Sequence, residues 1–202
     1  MYKKGYIYKG LKPVYWCTDC ETALAEAEIE YKDINSHTAY VKFPVKDSKG
    51  KFDKENTSIV IWTTTPWTLP GNMGITVGPE YKYSIVDIGK EKVIIATELV
   101  KTVMEKAEIE NYTTLAELEG KELEGVICRH PFLDRDSRVV LGSDDTIVVE
   151  LDAGTGAVHT APGYGKEDYL CGLKNGLDIV VTVNDKGHQT EEAGPFSGMY
   201  YA

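Results

Sequence analysis

Short runs of β-branched and aromatic residues recur along this chain of 202 residues and constrain its fold more than any other feature. Runs of this kind, bounded by turn residues, are typical of β-strands. Turn-like breaks at 46–50 and 143–145 separate several of them. Strands are predicted at residues 6–8, 27–34, 38–45, 58–62, 83–88, 93–96, 126–128, 138–141, 147–149, 157–159 and 179–183.

Helical patterns are few. Residues 98–106 form one, with Leu99, Val103 and Met104 on a possible apolar face. Residues 115–118 predict a short helical turn, and 167–175 predict a third helix. Many short strands with a few helices indicate a β-rich α+β fold, in which a closed or nearly closed β-barrel carries helices on its outside. A length of 202 residues fits a single domain.

A threonine-rich peptide follows the apolar run at 58–61. It reads TTTPWTLPGN over residues 63–72, and its two prolines cannot continue a central strand. We therefore expect the strand to end in an extended loop whose hydroxyl groups line a small polar cleft. The alternative is that Thr63, Thr64 and Thr65 serve only as good strand formers.

A second unusual segment reads GTGAVHTAPGYGKEDY over residues 154–169. It predicts a short strand at 157–160, a turn at 162–165, and a helix that begins near Lys166 with Asp168 in its first turn. Each polar residue also has an ordinary explanation, because Asp168 suits a helix N-terminus and a lone His159 is more often a core residue. We expect both segments at adjacent strand ends, facing one cleft.

Together the two segments resemble the editing domain of isoleucyl-tRNA synthetase, a large insertion in the class I catalytic fold. A third match is LKPVYWCTDC at 11–20, followed by TALAEAEIEY at 22–31, so the resemblance runs from about residue 10 to residue 199. Valyl and leucyl enzymes have related domains, but typically carry arginine after two threonines, where Thr65 stands here. The isoleucyl family is therefore the sharper match.

The resemblance implies a single editing domain over 1–202, excised from a longer cytoplasmic, ATP-binding synthetase, with 1–25 and 185–202 as connections to the parent catalytic domain. It implies the barrel of the valyl, isoleucyl and leucyl editing domains, and hydrolysis of Val-tRNA(Ile), with valyl-adenylate as a further substrate. The expected partners are the mischarged tRNA 3′ end, its valine moiety and the remainder of the synthetase. We expect a monomer without membrane contact. The alternative is a non-catalytic module that binds the aminoacylated 3′ end.

The resemblance also assigns roles to residues. Asp168 is expected to bind the α-ammonium group through charge-assisted hydrogen bonds. Thr64 and Thr65, with Thr63 beside them, are expected to contact the ribose, the ester and the attacking water, while His159 lines the side-chain pocket or acts as a general base. The predicted catalytic residues are Asp168, Thr64, Thr65 and His159, and the predicted substrate-binding residues are Thr63, Thr64, Thr65, Trp67, Asn72, His159, Thr160 and Asp168. Family members commonly carry histidine where Tyr164 stands, a change that we expect to be harmless.

Charge and cysteine content set further limits. The chain has 22 basic and 32 acidic residues, a net charge of −10, which argues against a general nucleic-acid binder and predicts weak tRNA affinity for this domain alone. Cys17 and Cys20 form a C-x-x-C pair, which reads as half of a zinc site completed outside the chain, as a redox pair, or as two plain thiols. The half-site is favoured, and no cofactor or bound metal is expected within this domain.

Overall fold

The fold is built on one large sheet, seen in a computed structural model that describes residues 1–33 and 35–201. The strands are β1 Tyr15–Cys17, β2 Thr22–Leu24, β3 Ala39–Asp47, β4 Thr57–Thr63, β5 Gly74–Val77, β6 Lys82–Asp87, β7 Lys92–Ala96, β8 Thr113–Glu119, β9 Ile127–Arg129, β10 Asp136–Leu141 and β11 Ala157–Thr160. The α-helices are α1 Val100–Lys106, α2 Gly120–Leu123 and α3 Lys166–Asn175. Short 3-10 helices span Tyr2–Lys4, Glu26–Glu28, Pro66–Gly71, Thr97–Leu99 and Glu191–Phe196.

Six strands close into a barrel in the order β4, β3, β9, β10, β5, β11 and back to β4. The closing contact is a parallel pairing of Trp62 on β4 with Val158 on β11. Strand β7 pairs with the first residues of β4, on the edge that β11 meets further along the strand. Strands β6 and β8 continue the sheet outward from β7. The predicted fold class, a central barrel with a few peripheral helices, is confirmed.

Strand β4 is the centre of the core. It pairs with three other strands, and six of its seven residues are buried, because both of its faces and both of its edges are covered. Helix α1 and the turn before it bury Leu99, Val103 and Met104 against the barrel, which confirms the predicted apolar face. Ile59 and Ile61 of β4 are completely inaccessible to solvent.

Several strand predictions are confirmed and four are wrong. The predicted strands at 38–45, 58–62, 83–88, 93–96, 126–128, 138–141 and 157–159 overlap β3, β4, β6, β7, β9, β10 and β11. Residues 6–8, 27–33 and 147–149 form no strand, and residue 34 lies outside the described residues. Residues 179–183 contribute only an isolated bridge from Val183 to Gln189. These runs have strand-like composition but find no neighbouring strand with which to form a ladder.

Other elements occur where none of their type was predicted, namely β1, β2, β5, β8 and α2. The predicted turn at 115–118 lies inside β8, where pairing with β6 in antiparallel register overrides the helix-forming alanine, leucine and glutamate. Strand β5 was not predicted, because its four residues follow directly on a proline-containing peptide and give too short a pattern. Strand β5 nevertheless pairs with both β10 and β11 and is essential to the barrel.

The β1–β2 hairpin packs against the C-terminal segment. A hydrogen bond of 2.8 Å from Trp16 Nε1 to the Asp185 carbonyl oxygen joins the two. Helix α3 reaches the N-terminal segment where the Tyr169 hydroxyl donates to the Leu11 carbonyl oxygen. In the described part of the chain, the helices are too short or too polar to cross a bilayer.

Candidate functional site

A cleft of about 400 Å³ opens where β4 and β11 end side by side. Strand β4 leads into the threonine peptide, and β11 leads through a turn into α3, so both unusual segments reach the same opening, as predicted. The residues that line the cleft are Trp62, Thr63, Thr64, Thr65, Trp67, Thr68, Val158, His159, Ala161, Tyr164, Gly165 and Asp168. Among them Asp168 is the one carboxylate, and none is lysine or arginine.

The threonine peptide turns more sharply than predicted. Only Thr64 and Thr65 form the loop, and a 3-10 helix begins at Pro66, so the expectation of a longer extended loop is wrong. Proline suits the first position of a helical turn, because its fixed φ is already helical and its missing N–H has no partner to lose there. The Thr63 hydroxyl accepts a hydrogen bond of 3.1 Å from the Thr65 backbone N–H and fixes the bend.

The three adjacent threonines have different surroundings. Thr63 is buried, whereas Thr64 and Thr65 are exposed in the cleft. Thr65 has only long hydroxyl contacts, of 3.4 Å to Thr63 and 3.5 Å to Thr68. Within the described residues, no hydrogen bond holds the Thr64 hydroxyl. The two exposed hydroxyl groups are therefore available to a ligand or a water molecule.

His159 lies at the base of the cleft in a closed hydrogen-bond network. Its Nε2 is 2.9 Å from the Thr68 hydroxyl and its Nδ1 is 2.7 Å from the side-chain nitrogen of Asn72. The Thr68 hydroxyl donates its proton to the Thr65 carbonyl oxygen at 2.9 Å, so it can only accept from the imidazole. The network therefore assigns His159 the neutral tautomer with its proton on Nε2.

Asn72 fixes this tautomer from behind. The side-chain amide nitrogen of Asn72 also donates to the Gly74 carbonyl oxygen at 2.9 Å, and its oxygen accepts from the Ser137 hydroxyl at 2.5 Å. These two partners leave the amide only one orientation. Asn72 must then donate to Nδ1 of His159, and the only lone pair of the imidazole is occupied.

Burial acts on His159 in the same direction. His159 is only 8% exposed, and desolvation, together with the nearby His130, lowers its pKa to about 4. The imidazole is therefore neutral at physiological pH. A neutral ring with an occupied lone pair is poorly placed to accept a proton from water.

Asp168 lies across the cleft in the first turn of α3. One of its oxygens, Oδ1, accepts a hydrogen bond of 2.7 Å from the Ala161 backbone N–H. Burial raises the pKa of Asp168, and the bond from Ala161 partly opposes that shift. In the described part of the chain, no basic side chain forms an ion pair with this carboxylate. Asp168 is thus a half-buried anion that lacks a cation.

Gly165 makes room for that carboxylate. A Cβ atom at position 165 would lie 2.5 Å from Oδ2 of Asp168, so any other residue would displace it. The glycine is needed for this close approach, although its backbone conformation is extended and open to any residue.

Trp67 and Tyr164 form the outer wall of the cleft. Their rings meet edge to face, with 5.4 Å between centroids, and the Trp67 ring also contacts Tyr201. The Tyr164 hydroxyl is 2.8 Å from the Thr182 hydroxyl and accepts a bond of 2.7 Å from the Thr182 backbone N–H. The residue in the position where the family commonly has histidine is therefore firmly anchored.

Two predicted substrate-binding residues lie away from the cleft. Asn72 and Thr160 are both completely buried, and the Thr160 hydroxyl bonds to Thr76 at 2.6 Å. Their geometry supports a role in holding the site together instead of direct contact. Conversely, sequence reasoning assigned no role to Thr68 or Ser137. Thr68 lies in the recognised peptide, whereas Ser137 lies on β10 with no signal in the sequence.

Cys17 and Cys20 are in the β1–β2 hairpin, away from the cleft. The Cys20 backbone N–H donates to the Cys17 sulfur at 3.4 Å, and this bond is the largest cause of a lowered pKa at Cys17. A more acidic thiol suits metal binding. Among the described residues, however, no third histidine, cysteine or carboxylate lies close enough to complete a metal site.

The barrel and the threonine peptide at its rim are features of a class I tRNA synthetase domain, and comparison with known proteins agrees. The model of the family "tRNA synthetases class I (I, L, M and V)" matches residues 1–177. The chain therefore belongs to this family of tRNA synthetases.

Within the family, the chain is similar to isoleucine–tRNA ligases. It is 54% identical over 200 residues to the enzyme of Moorella thermoacetica and 55% identical over 202 residues to that of Natranaerobius thermophilus. These matches cover 99% and 100% of the chain but 21% of each relative. The chain thus spans about a fifth of the length of the curated relatives that it matches.

Solved structures agree on the fold. The crystal structure of GlLeuRS-CP1 aligns with a TM-score of 0.54 at 20% identity, covering 69% of this chain and 61% of that one. The editing domain of the P. knowlesi cytosolic leucyl-tRNA synthetase also aligns at 0.54, with 12% identity, covering 65% of this chain and 60% of that one. At such identities the likeness shows a shared fold.

Proposed function

We propose that this domain removes valine from Val-tRNA(Ile) by ester hydrolysis, as the second sieve of an isoleucine–tRNA ligase. One observation carries the proposal. The half-buried Asp168 carboxylate forms no ion pair among the described residues and lines the same small cleft as the exposed hydroxyl groups of Thr64 and Thr65. An aminoacyl ester of a terminal adenosine supplies what such a cleft lacks, namely an ammonium group and several ribose and ester oxygens.

A second site is needed because the first cannot discriminate well. A binding pocket built for isoleucine discriminates only weakly against valine, because valine lacks just one methylene. Isoleucine–tRNA ligase is the established example of that limit. A hydrolytic site that admits valine and excludes isoleucine on size corrects the error. His159, held by Thr68 and Asn72, is a rigid floor suited to that exclusion.

The chemistry needs no metal or redox partner in this proposal. Water adds to the ester carbonyl carbon, the acyl–oxygen bond breaks, and valine leaves with the ribose hydroxyl restored. Asp168 binds the α-ammonium group, while the Thr64 and Thr65 hydroxyls orient the ester and the water. The gain comes from positioning, because threonine hydroxyls are too weakly acidic to serve as strong bases. The occupied lone pair of His159 argues against its alternative role as general base.

Binding of the tRNA itself is assigned to the rest of the synthetase. A net charge of −10 and a cleft without lysine or arginine give the domain little attraction for phosphates. We accordingly propose that residues 1–25 and 185–202 connect it to the catalytic domain of a cytoplasmic synthetase, which presents the 3′ end. Cys17 and Cys20 would contribute half of a zinc site completed by that remainder.

The test is release of valine from Val-tRNA(Ile), measured beside release of isoleucine from Ile-tRNA(Ile). We expect selective release of valine that is lost in Asp168→Ala and kept in Glu167→Gln, a matched change at an exposed neighbour on the same helix. Equal release of the two amino acids would refute the size sieve. Binding of the charged 3′ end without release would favour the non-catalytic module.

A further inference from the structure

A second buried network supports the outer wall of the cleft. Gln189 donates from its side-chain nitrogen to the Trp67 carbonyl oxygen at 2.8 Å, and its oxygen accepts from the Thr182 hydroxyl at 2.9 Å. Because the Thr182 hydroxyl donates to Gln189, the Tyr164 hydroxyl must donate to Thr182 at 2.8 Å. The bonds therefore run in one direction from Tyr164 to the backbone of Trp67.

The polar groups of this network are buried and depend on one another. Thr182 is completely buried and Gln189 is 5% exposed, so a partner lost from either leaves a polar group without water. The Tyr164 ring also packs directly on Gly71, where a Cβ atom would lie 2.4 Å from the ring edge. These contacts tie the C-terminal segment, the turn after β11 and the threonine peptide into one unit.

We propose that Tyr164, acting through Thr182 and Gln189, is a positioning residue that holds Trp67 in place as the wall against which the aminoacyl ester binds. The proposal rests on the proposed function for its substrate. The Tyr164 hydroxyl bonds to Thr182 and, through it, to Gln189, which both lie in the C-terminal segment outside the cleft.

Steady-state hydrolysis of Val-tRNA(Ile) by Tyr164→Phe and Thr182→Val tests the proposal. A loosened wall weakens ground-state binding, so we expect KM to rise about 5-fold in each variant, the equivalent of one net hydrogen bond, with kcat within about twofold. A merely structural defect would instead lower the fraction of active protein, reducing kcat with KM unchanged. The double variant should be no worse than either single one, since both break the same relay.

Thr57→Val is the matched control. It also removes a buried hydroxyl from the barrel, one that donates to backbone carbonyl oxygens at the far end of β4, and should leave KM unchanged. The indole N–H resonance of Trp67, assigned with Trp67→Phe, gives a readout independent of hydrolysis. We expect it to shift or broaden in Thr182→Val but not in Thr57→Val.

The outcomes separate this proposal from the proposed function. Unchanged KM values together with an unmoved Trp67 resonance overturn the positioning role, even if the wild-type chain releases valine. No release by the wild-type chain at concentrations that saturate binding of the charged 3′ end counts against the hydrolytic function. The Trp67 resonance in Thr182→Val then decides the positioning role alone.

Discussion

Replacing Asp168 with asparagine separates the charge of the carboxylate from its shape. Asparagine keeps an oxygen that can accept the 2.7 Å bond from the Ala161 N–H, so the turn between β11 and α3 should keep its conformation. What is lost is the negative charge offered to an α-ammonium group. A hydrogen bond to a charged group is worth about 1.5–3 kcal/mol, so kcat/KM for Val-tRNA(Ile) should fall by about 10- to 150-fold.

Stability should change in the opposite sense. Burial raises the pKa of Asp168 in the folded state above its unfolded value, so the folded state binds this proton more tightly. For an acid with a raised pKa, stability declines as pH rises from the unfolded pKa, about 4, through the folded pKa. At pH 7 the charged carboxylate therefore opposes folding, and Asp168→Asn should be as stable as the wild type or more so.

Two measurements on the same preparations check this reasoning. Deacylation kinetics give the loss of kcat/KM, and urea unfolding at pH 7 gives the free energy of unfolding, with Glu167→Gln as the control for a charge removed from the same helical turn. If the Asp168→Asn variant hydrolyses Val-tRNA(Ile) as fast as the wild type, the proposed role of the charge is refuted. A variant that is both inactive and unstable would show that Asp168 is needed mainly for folding.

Further predictions concern the rest of the site. Because the pKa of His159 falls to about 4 on folding, the unfolded chain binds its proton more tightly below pH 6.5. The contribution of His159 to the free energy of unfolding is therefore complete above pH 6.5 and falls by about 1.4 kcal/mol per pH unit on acidification towards pH 4. Urea unfolding at pH 7.5, 6 and 5 will measure this slope, which His159→Gln should reduce. Asn72→Ala leaves several buried polar partners without a hydrogen bond and should lower the free energy of unfolding by about 1–3 kcal/mol. An unchanged free energy in urea unfolding would contradict the structural role of Asn72. Thr64→Val should slow deacylation while changing stability by less than about 0.5 kcal/mol, because its hydroxyl forms no hydrogen bond within the described residues. Zinc analysis by atomic emission should find no tightly held zinc in this chain, and Cys17→Ser should leave its melting temperature unchanged; zinc retained by the wild type and lost in Cys17→Ser would show that the half-site needs no remainder of the synthetase.

The outcome of the strand predictions follows a physical rule. Strands β3 and β4 were correctly located because each carries a clear local pattern: β4 is buried along almost its whole length, and the inner half of β3 alternates buried and exposed residues. Residues 147–149 have the same composition but no partner strand, while β8 has helix-forming residues and a partner in β6. Pairing is a property of the whole barrel, and a local window of sequence does not contain it.

The sequence by itself determined the fold class, the two segments that meet at the cleft and the polar residues they carry. Those features depend on residue type and local order: threonines after an apolar strand, and a histidine and an aspartate around a glycine-rich turn. The tertiary structure alone decided the tautomer of His159, the buried positions of Asn72 and Thr160, and the anchoring of Tyr164 by Thr182. Each of these depends on hydrogen-bond partners far apart in the chain, which only the closed barrel brings within 3 Å of one another.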